Sequence, residues 1–277
     1  MVMSEDIKNH ENVGIEKVSK GALRSDEFFQ DNDESGEILH DEKSNRFEIS
    51  TYCTDNLSGS LNEVKPTGVL DLFQTVAGMH AAVLGVSMTD LMNNGRCWVL
   101  ESVVYESIFP ISAHSRVSVK TWFHKPGRLF CCRDYSICDE SGAELVKGTS
   151  RWLVIDVKTR KPVLNAIDYG CDGSDERNFV EHNKIRLSFE NAETLGRFTV
   201  GKSFSDIVGH MNNTRYADVI FEFFPCALKK LQIDYVKECK VGETLEVKKL
   251  DDGDKIFVEG NVSGERRFVA ELVLAKI

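Results

Sequence analysis

The sequence predicts an α+β protein made of two similar units in tandem, each with an antiparallel sheet wrapped round a central helix. Three observations support this fold class. A long apolar helix is followed by strand-like segments only, the same succession occurs a second time, and a polar stretch lies between the two. We therefore expect an N-terminal domain at residues 45–165, a linker at 166–195 and a C-terminal domain at 196–277.

The chain begins with a polar, acidic stretch. Residues 1–45 carry 12 acidic and 5 basic residues, which is −7 of the formal net charge of −10. Because such a segment buries too little apolar surface to fold by itself, residues 1–44 are expected to form a disordered or loosely attached extension. The rest of the chain is close to neutral, which excludes the basic surface typical of a nucleic-acid-binding protein.

Other classes of protein are excluded by pattern. No stretch of about 18 uncharged apolar residues occurs, so no membrane span is expected. The first residues lack the basic and apolar regions of a secretory signal. The eight cysteines show no CxxC spacing, and we expect neither a metal site nor a cofactor. Without a signal sequence, reduced thiols and a cytoplasmic location are expected.

The first unit contains one helix among strands. A strand over Arg46–Cys53 precedes the helix, which begins with Pro66 at its first position and runs to Leu84. Because apolar residues cover nearly every face of this helix, it is expected to be buried on all sides. Further strands are expected at Trp98–Tyr105, Val117–Phe123, Leu129–Cys138 and Glu144–Val157.

The second unit repeats this order. A strand is expected at Phe198–Phe204 and a helix at Asn213–Leu231, which Pro225 kinks or shortens. Four strands are then expected at Ile233–Lys240, Thr244–Lys249, Ile256–Val262 and Phe268–Ala275.

A short signature links the two units. Arg46-Phe47 is followed eight residues later by Asp55, and Arg197-Phe198 is followed eight residues later by Asp206. A hydroxyl residue precedes each aspartate, and a helix follows it. This match, with an offset of 151 residues, predicts an internal duplication.

The segment before the second helix carries titratable groups. Asp206 and His210 lie four residues apart, and Asn212 or Asn213 is a natural N-cap. Backbone N–H groups at a helix N-terminus can stabilise an oxyanion beside such groups. The alternative interpretation is a structural turn and cap with a histidine that takes no part in chemistry.

These residues resemble a known signature. The pattern Asp206-x-x-Gly209-His210-x-Asn212-Asn213-x-x-Tyr216 is similar to that of hot-dog-fold thioesterases, and the doubled layout resembles the acyl-acyl-carrier-protein (acyl-ACP) thioesterases. The first unit agrees, with Pro66–His80 and Trp98–Leu100 among its matching segments. The resemblance implies tandem hot-dog folds and hydrolysis of fatty-acyl thioesters to free fatty acid, in fatty acid biosynthesis and lipid metabolism.

The resemblance also implies a catalytic set in the second unit. The matching positions are Asp206, His210 and Glu238, with Cys239 beside them and Asn212 and Asn213 in support. Val208 departs from the pattern, because the family has an asparagine there and a valine side chain cannot form hydrogen bonds. Glu238 or Asp206 would act as base or nucleophile, and His210 would orient or donate. Cys239 is interpreted as a buried strand residue, with a nucleophilic role as the alternative.

Two other functions stay open, an acyl-CoA thioesterase and a non-catalytic acyl-binding or regulatory hot-dog protein. The expected partner is an acidic acyl carrier protein, and a homodimer is an open alternative for the oligomeric state. Basic side chains that could dock the carrier are Arg215, Lys229, Lys230, Lys237 and Lys240.

Overall fold

One antiparallel sheet of eleven strands forms the frame of the protein. The computed structural model describes residues 38–41, 45–59, 61–179, 182–206 and 209–275. The strands are β1 (Ile38–Asp41), β2 (Arg46–Tyr52), β3 (Arg96–Ser107), β4 (Arg116–Phe123), β5 (Cys131–Asp139), β6 (Glu144–Asp156), β7 (Glu193–Thr199), β8 (Leu228–Tyr235), β9 (Thr244–Asp252), β10 (Lys255–Val262) and β11 (Glu265–Leu274). The helices are α1 (Pro66–Val83), α2 (Met88–Asn93) and α3 (Tyr216–Phe223).

The order of the strands shows a duplicated unit. In the first half the order is β2-β4-β5-β6-β3, and in the second half it is β7-β9-β10-β11-β8. In each half, the strand before the long helix lies at the outer end and the strand after it lies at the centre. The halves meet where β3 pairs with β8, from Ser102 opposite Asp234 to Glu106 opposite Lys230. The predicted α+β fold class with two tandem units is confirmed, and the antiparallel sheets of the two units join into one.

Helix α1 begins and ends close to the predicted bounds. Pro66 stands at its first position, where a missing N–H costs no hydrogen bond. Its buried side chains, such as Leu70 and Val76, belong to the main core cluster. The expectation that the helix is buried on all sides is wrong, because Gln74, Thr75 and Gly78 are exposed. A Cβ on Gly68 would lie 2.5 Å from the carbonyl oxygen of Leu57, so the absence of a side chain lets the preceding loop pack closely on the helix.

Helix α3 is much shorter than predicted. The expected span of 213–231 is wrong beyond Phe223, whereas the expected shortening at Pro225 is confirmed, because the residue before a proline is disfavoured in a helical conformation. The residues that follow instead form β8 between β3 and β11. The strand expected at 233–240 therefore lies earlier, at Leu228–Tyr235, which leaves Glu238 in a loop after β8. The strand expected at 198–204 lies at Glu193–Thr199, because Lys202–Phe204 forms a 3-10 turn.

The segment between the halves lies against polar groups of the sheet. The side-chain amide of Asn178 donates to the carbonyls of Tyr135 and Gly148, at 2.7 and 2.8 Å. The backbone N–H of Asn178 donates to buried Asp134, and that of Ile185 donates to buried Asp234. These bonds supply the partners that buried carboxylates require.

The structure also bears on three other sequence expectations. Most of the predicted extension at 1–44 lies outside the described residues, but Ile38–Asp41 forms β1 and pairs with β2. No helix among the described residues is long and apolar enough to cross a membrane. The same part of the chain contains no cluster of three or more His, Cys, Asp or Glu side chains arranged to hold a metal ion.

The offset between the repeats differs from the predicted one. In the second half the N–H of Asp206 donates to the carbonyl of His210, and in the first half the N–H of Gly59 donates to that of Glu63. A second matching pair joins Asn212 to Phe204 and Lys65 to Leu57. Both pairs give an offset of 147 residues, so the predicted offset of 151 is wrong. Asp55 therefore corresponds to Lys202 and not to Asp206.

Candidate active site

A tight turn presents His210. The N–H of Asp206 donates to the carbonyl of His210 at 2.8 Å, and the N–H of Gly209 donates to the carbonyl of Asp206 at 3.1 Å. Gly209 has φ +84°, a left-handed conformation that favours glycine. The Asp206 carboxylate accepts the backbone N–H of His210 at 3.2 Å. Asp206 thus fixes the backbone of the residue that carries the imidazole.

The loop after β8 brings Glu238 to this imidazole. His210 forms an isolated bridge with Lys240, and the N–H of Met211 donates to the carbonyl of Cys239 at 2.8 Å. As a result, Nε2 of His210 lies 3.7 Å from Oε1 of Glu238. Both side chains are partly accessible, at 25% and 35% exposure, so a substrate can reach them. The structure therefore brings together two of the three residues predicted to be catalytic.

Arg160 is a third charged group at this place, and no pattern in the sequence indicates it. It lies in the turn after β6, which belongs to the first of the two units of the fold. Its Nη2 lies 2.7 Å from Oε1 and 2.5 Å from Oε2 of Glu238. The two residues are 78 positions apart, and the pairing of β3 with β8 is among the contacts that place their halves side by side.

The two asparagines have structural contacts. Asn212 is the N-cap of a short 3-10 turn over Asn213–Arg215 that leads into α3. Its Oδ1 accepts the backbone N–H of Thr214 at 3.0 Å, so this donor is already used and does not serve an oxyanion. The carbonyl of Asn213 accepts the hydroxyl of Tyr235 at 2.8 Å. The asparagines thus shape the start of the second helix, and Val208 lies outside the described residues.

Cys239 is buried behind the site. The residue is fully buried, and its N–H donates to the hydroxyl of Tyr216 at 3.1 Å. Burial raises the pKa of its thiol, and the hydrogen bond with Tyr216 lowers it by less. A thiol in such surroundings is a weak nucleophile, because only the thiolate reacts.

A small apolar cavity lies next to the site. It has a volume of about 20 Å³ and is lined mainly by α1 and by strands of the first half, among them Leu70, Phe73 and Val103. Asn213 and Tyr235 complete its wall, and they lie three residues after His210 and three before Glu238. An apolar space of the first half thus reaches residues of the second half that flank the candidate site in the sequence.

The corresponding place in the first half lacks the titratable groups. With the hydrogen bonds of the two loops matched, Gly59 corresponds to Asp206 and Glu63 to His210. The N–H of Val64 donates to the carbonyl of Ile111 just as that of Met211 donates to Cys239, so Pro110 corresponds to Glu238. The fold repeats, but these corresponding positions of the first half hold no pair of imidazole and carboxylate.

Comparison with known proteins gives two matching domain models and similar solved structures. The acyl-ACP thioesterase N-terminal domain matches residues 42–168, and the acyl-ACP thioesterase C-terminal domain matches residues 189–264. A search of curated proteins finds no match. An acyl-ACP thioesterase from Bacteroides thetaiotaomicron aligns with a TM-score of 0.78 and 21% identity, over 83% of this chain and 98% of its own. A 12:0-ACP thioesterase from Umbellularia californica aligns with a TM-score of 0.73 and 17% identity, over 86% of this chain and 98% of its own.

Proposed function

The chain belongs to the acyl-ACP thioesterase family and is a thioester hydrolase, and we propose that His210 and Glu238 form the centre at which it hydrolyses fatty-acyl-ACP to free fatty acid. The observation that carries this proposal is the distance of 3.7 Å between Nε2 of His210 and Oε1 of Glu238 at an accessible place. The absence of both groups from the corresponding positions of the first half agrees with a single centre.

Thioester hydrolysis needs an activated water molecule and a stabilised oxyanion. A thiol leaving group has a pKa of about 8.5 and needs little help from an acid. Glu238 takes a proton from water, and the resulting hydroxide adds to the thioester carbonyl to give a tetrahedral intermediate. The C–S bond of this intermediate then breaks, so that the fatty acid is released and the leaving thiolate takes up the proton from Glu238. His210 orients the water. Asp206 supports this by holding the turn that presents His210, because its carboxylate accepts the N–H of that residue.

The acyl chain belongs in the apolar space of the first half. The cavity between α1 and the sheet begins beside Asn213 and Tyr235, next to the catalytic pair, and its walls are almost wholly apolar. A fatty-acyl chain loses its contact with water there, which favours binding by roughly 0.8 kcal/mol for each buried CH₂ group. Because the cavity measures only about 20 Å³, side chains such as Phe73 must move to admit a long chain.

The proposed partner is an acyl carrier protein, which the catalytic half can approach. Three of the basic residues considered for docking are held in ion pairs, namely Arg215 with Asp71, Lys230 with Glu271 and Lys237 with Glu265. Lys229 and Lys240 are exposed, and Lys240 directly follows Cys239 beside the site. Lys240 is therefore the better placed of the two to contact an acidic carrier. We place the enzyme in cytoplasmic fatty acid biosynthesis, with a homodimer as one arrangement to examine.

The test is hydrolysis of acyl-ACP and acyl-CoA by the wild type and by variants of the pair. We expect His210→Ala and Glu238→Gln each to lower kcat by about 10²- to 10⁴-fold, the usual contribution of a general acid or base. Glu63→Gln is the matched control, because Glu63 holds the position of His210 in the first half, and we expect it to leave kcat within about twofold of wild type. Circular dichroism and thermal unfolding show whether the variants are folded.

The outcomes separate the competing functions. Full activity in both variants of the pair would refute this centre. A higher kcat/KM on acyl-CoA than on acyl-ACP would favour an acyl-CoA thioesterase. No turnover of either substrate, with acyl binding retained, would favour the non-catalytic acyl-binding protein that Val208 suggests.

A further inference from the structure

The carboxylate of Glu238 has a partner besides His210, and this partner comes from the other half of the chain. Nη2 of Arg160 lies within 2.7 Å of both carboxylate oxygens, whereas Nε2 of His210 lies 3.7 Å from Oε1. The contact with Arg160 is within hydrogen-bonding distance and the contact with His210 is not. The orientation of the carboxylate is therefore set mainly by Arg160.

The loop that carries Glu238 does little to fix this side chain. Strand β8 ends at Tyr235, and Glu238 lies beyond it in an irregular segment. The backbone is held nearby, where the N–H groups of Val236 and Lys237 donate to the carbonyl of Arg267. These bonds fix the main chain but leave the rotatable bonds of the Glu238 side chain free. A partly exposed glutamate without a further contact would occupy several rotamers.

Arg160, in contrast, stands on a rigid turn. The Asp156 carboxylate accepts the N–H of Thr159 at 2.7 Å and its hydroxyl at 2.9 Å. The N–H of Arg160 donates to the carbonyl of Asp156 at 2.8 Å, and the N–H of Asp156 donates to the carbonyl of Lys161 at 2.9 Å. Four hydrogen bonds thus fix the main chain from which the guanidinium extends.

The backbone of Arg160 also has an unfavourable conformation for its residue type. Its φ is +58°, a left-handed conformation that costs a residue with a side chain about 1 kcal/mol and that glycine adopts freely. Strain of this kind persists where the side chain serves a purpose. The one charged partner of this side chain among the described residues is Glu238.

We infer that Arg160 is a positioning residue for the hydrolysis, which orients the Glu238 carboxylate toward His210 and the attacking water across the junction of the two halves. This inference rests on the proposed function of Glu238. A charge-assisted hydrogen bond from Arg160 in the first half holds the proposed catalytic base, Glu238, in the second half. Both halves thus contribute to the one centre.

The test uses three variants whose kcat and KM are measured on acyl-ACP. Arg160→Gly removes the guanidinium and suits the left-handed backbone, so it should fold at least as stably as wild type. We expect it to lower kcat by about 10- to 100-fold, the scale of a misplaced catalytic group, with KM within about twofold. Arg160→Lys should recover part of kcat, because one nitrogen makes both contacts. Lys161→Ala, in the same turn, should change neither constant.

A double-mutant cycle distinguishes this inference from the function on which it rests. If Arg160 acts through Glu238, adding Arg160→Gly to Glu238→Gln lowers kcat no further. If Glu238→Gln alone leaves kcat unchanged, the proposed function fails. If Glu238→Gln abolishes activity but Arg160→Gly leaves or raises kcat, or raises KM only, the positioning role is overturned and the proposed function survives. A lysine variant no more active than the glycine variant also overturns it.

Discussion

Replacement of Cys239 by alanine should leave the catalytic rate almost unchanged. Cys239 follows Glu238 directly, and a nucleophilic thiol is the obvious alternative mechanism. A cysteine with a pKa of about 8.5 is about 3% thiolate at pH 7. Burial raises the pKa of Cys239, so its thiolate fraction is smaller still. Its side chain is also fully enclosed, beside the Tyr216 hydroxyl, and so is inaccessible to a substrate carbonyl.

The expected magnitudes separate the two mechanisms clearly. As a packing residue, Cys239 loses one buried sulfur in Cys239→Ala, which costs about 1–2 kcal/mol of unfolding free energy and changes kcat by less than about threefold. As a nucleophile, it would lose at least about a thousandfold in kcat. Steady-state hydrolysis of acyl-ACP and urea unfolding measure both quantities. A loss of turnover with the fold intact, or rapid alkylation of Cys239 in the native protein, would refute the argument from burial.

Two further predictions concern stability. A Cβ on Gly260 would lie 2.1 Å from the buried ring of Phe268, so Gly260→Ala should lower the unfolding free energy by about 2–3 kcal/mol. The control is Gly78→Ala on an open face of α1, which should raise the unfolding free energy by about 0.5–1 kcal/mol. Urea titrations measure both changes, and equal effects of the two variants would contradict the packing argument. Burial, aided by the charge of Arg151, lowers the pKa of His182 to about 4, below the ordinary value of about 6.5. Between pH 6.5 and pH 4 the unfolded chain therefore binds more protons than the folded chain. As a result, the unfolding free energy should fall by about 2 kcal/mol as the pH drops from 6.5 to 4. His182→Gln should remove that part of the pH dependence, and an unchanged slope would show that His182 is not its source.

The parts of the fold that could be predicted are those governed by local signals. Helix α1 has a proline at its first position and apolar side chains all round, and its predicted bounds differ from the observed ones by one residue. The second helix was predicted too long because its apolar run continues past Pro225. Only long-range pairing with β3 and β11 decides that Leu228–Tyr235 is a strand. Local sequence carries no information about such a competition between distant partners.

The prediction of a repeat is right, but the residue matches on which it is based are not the structurally equivalent positions. The Arg-Phe and Asp matches at an offset of 151 residues are a coincidence of sequence, whereas the loop hydrogen bonds give 147. With the offset of 147, Arg197 corresponds to Ser50 and not to Arg46, so an alignment by residue letters misplaces β7. Hydrogen bonds of the main chain are the safer guide, because they depend on backbone position and not on side-chain identity.

The candidate site, too, combines residues that local sequence predicts with residues that only long-range contacts bring together. The spacing of Asp206 and His210 is local, and the turn that joins them could be expected from sequence. Glu238 can be predicted only from the resemblance to a family. In the structure, a β-bridge between His210 and Lys240 brings Glu238 close to His210. Arg160 lies in the other half, in a turn whose sequence gives no sign of catalysis. Its contact arises from the pairing of the central strands, which no local pattern encodes.

The duplicated fold also explains why one centre suffices. Two equivalent halves that meet along β3 and β8 offer two equivalent positions, and the first holds Gly59, Glu63 and Pro110 in place of the catalytic candidates. Here the first half supplies the apolar cavity beside the centre and the arginine that binds Glu238. Because each half holds a part that the other lacks, separation of the halves should abolish turnover even where each half folds.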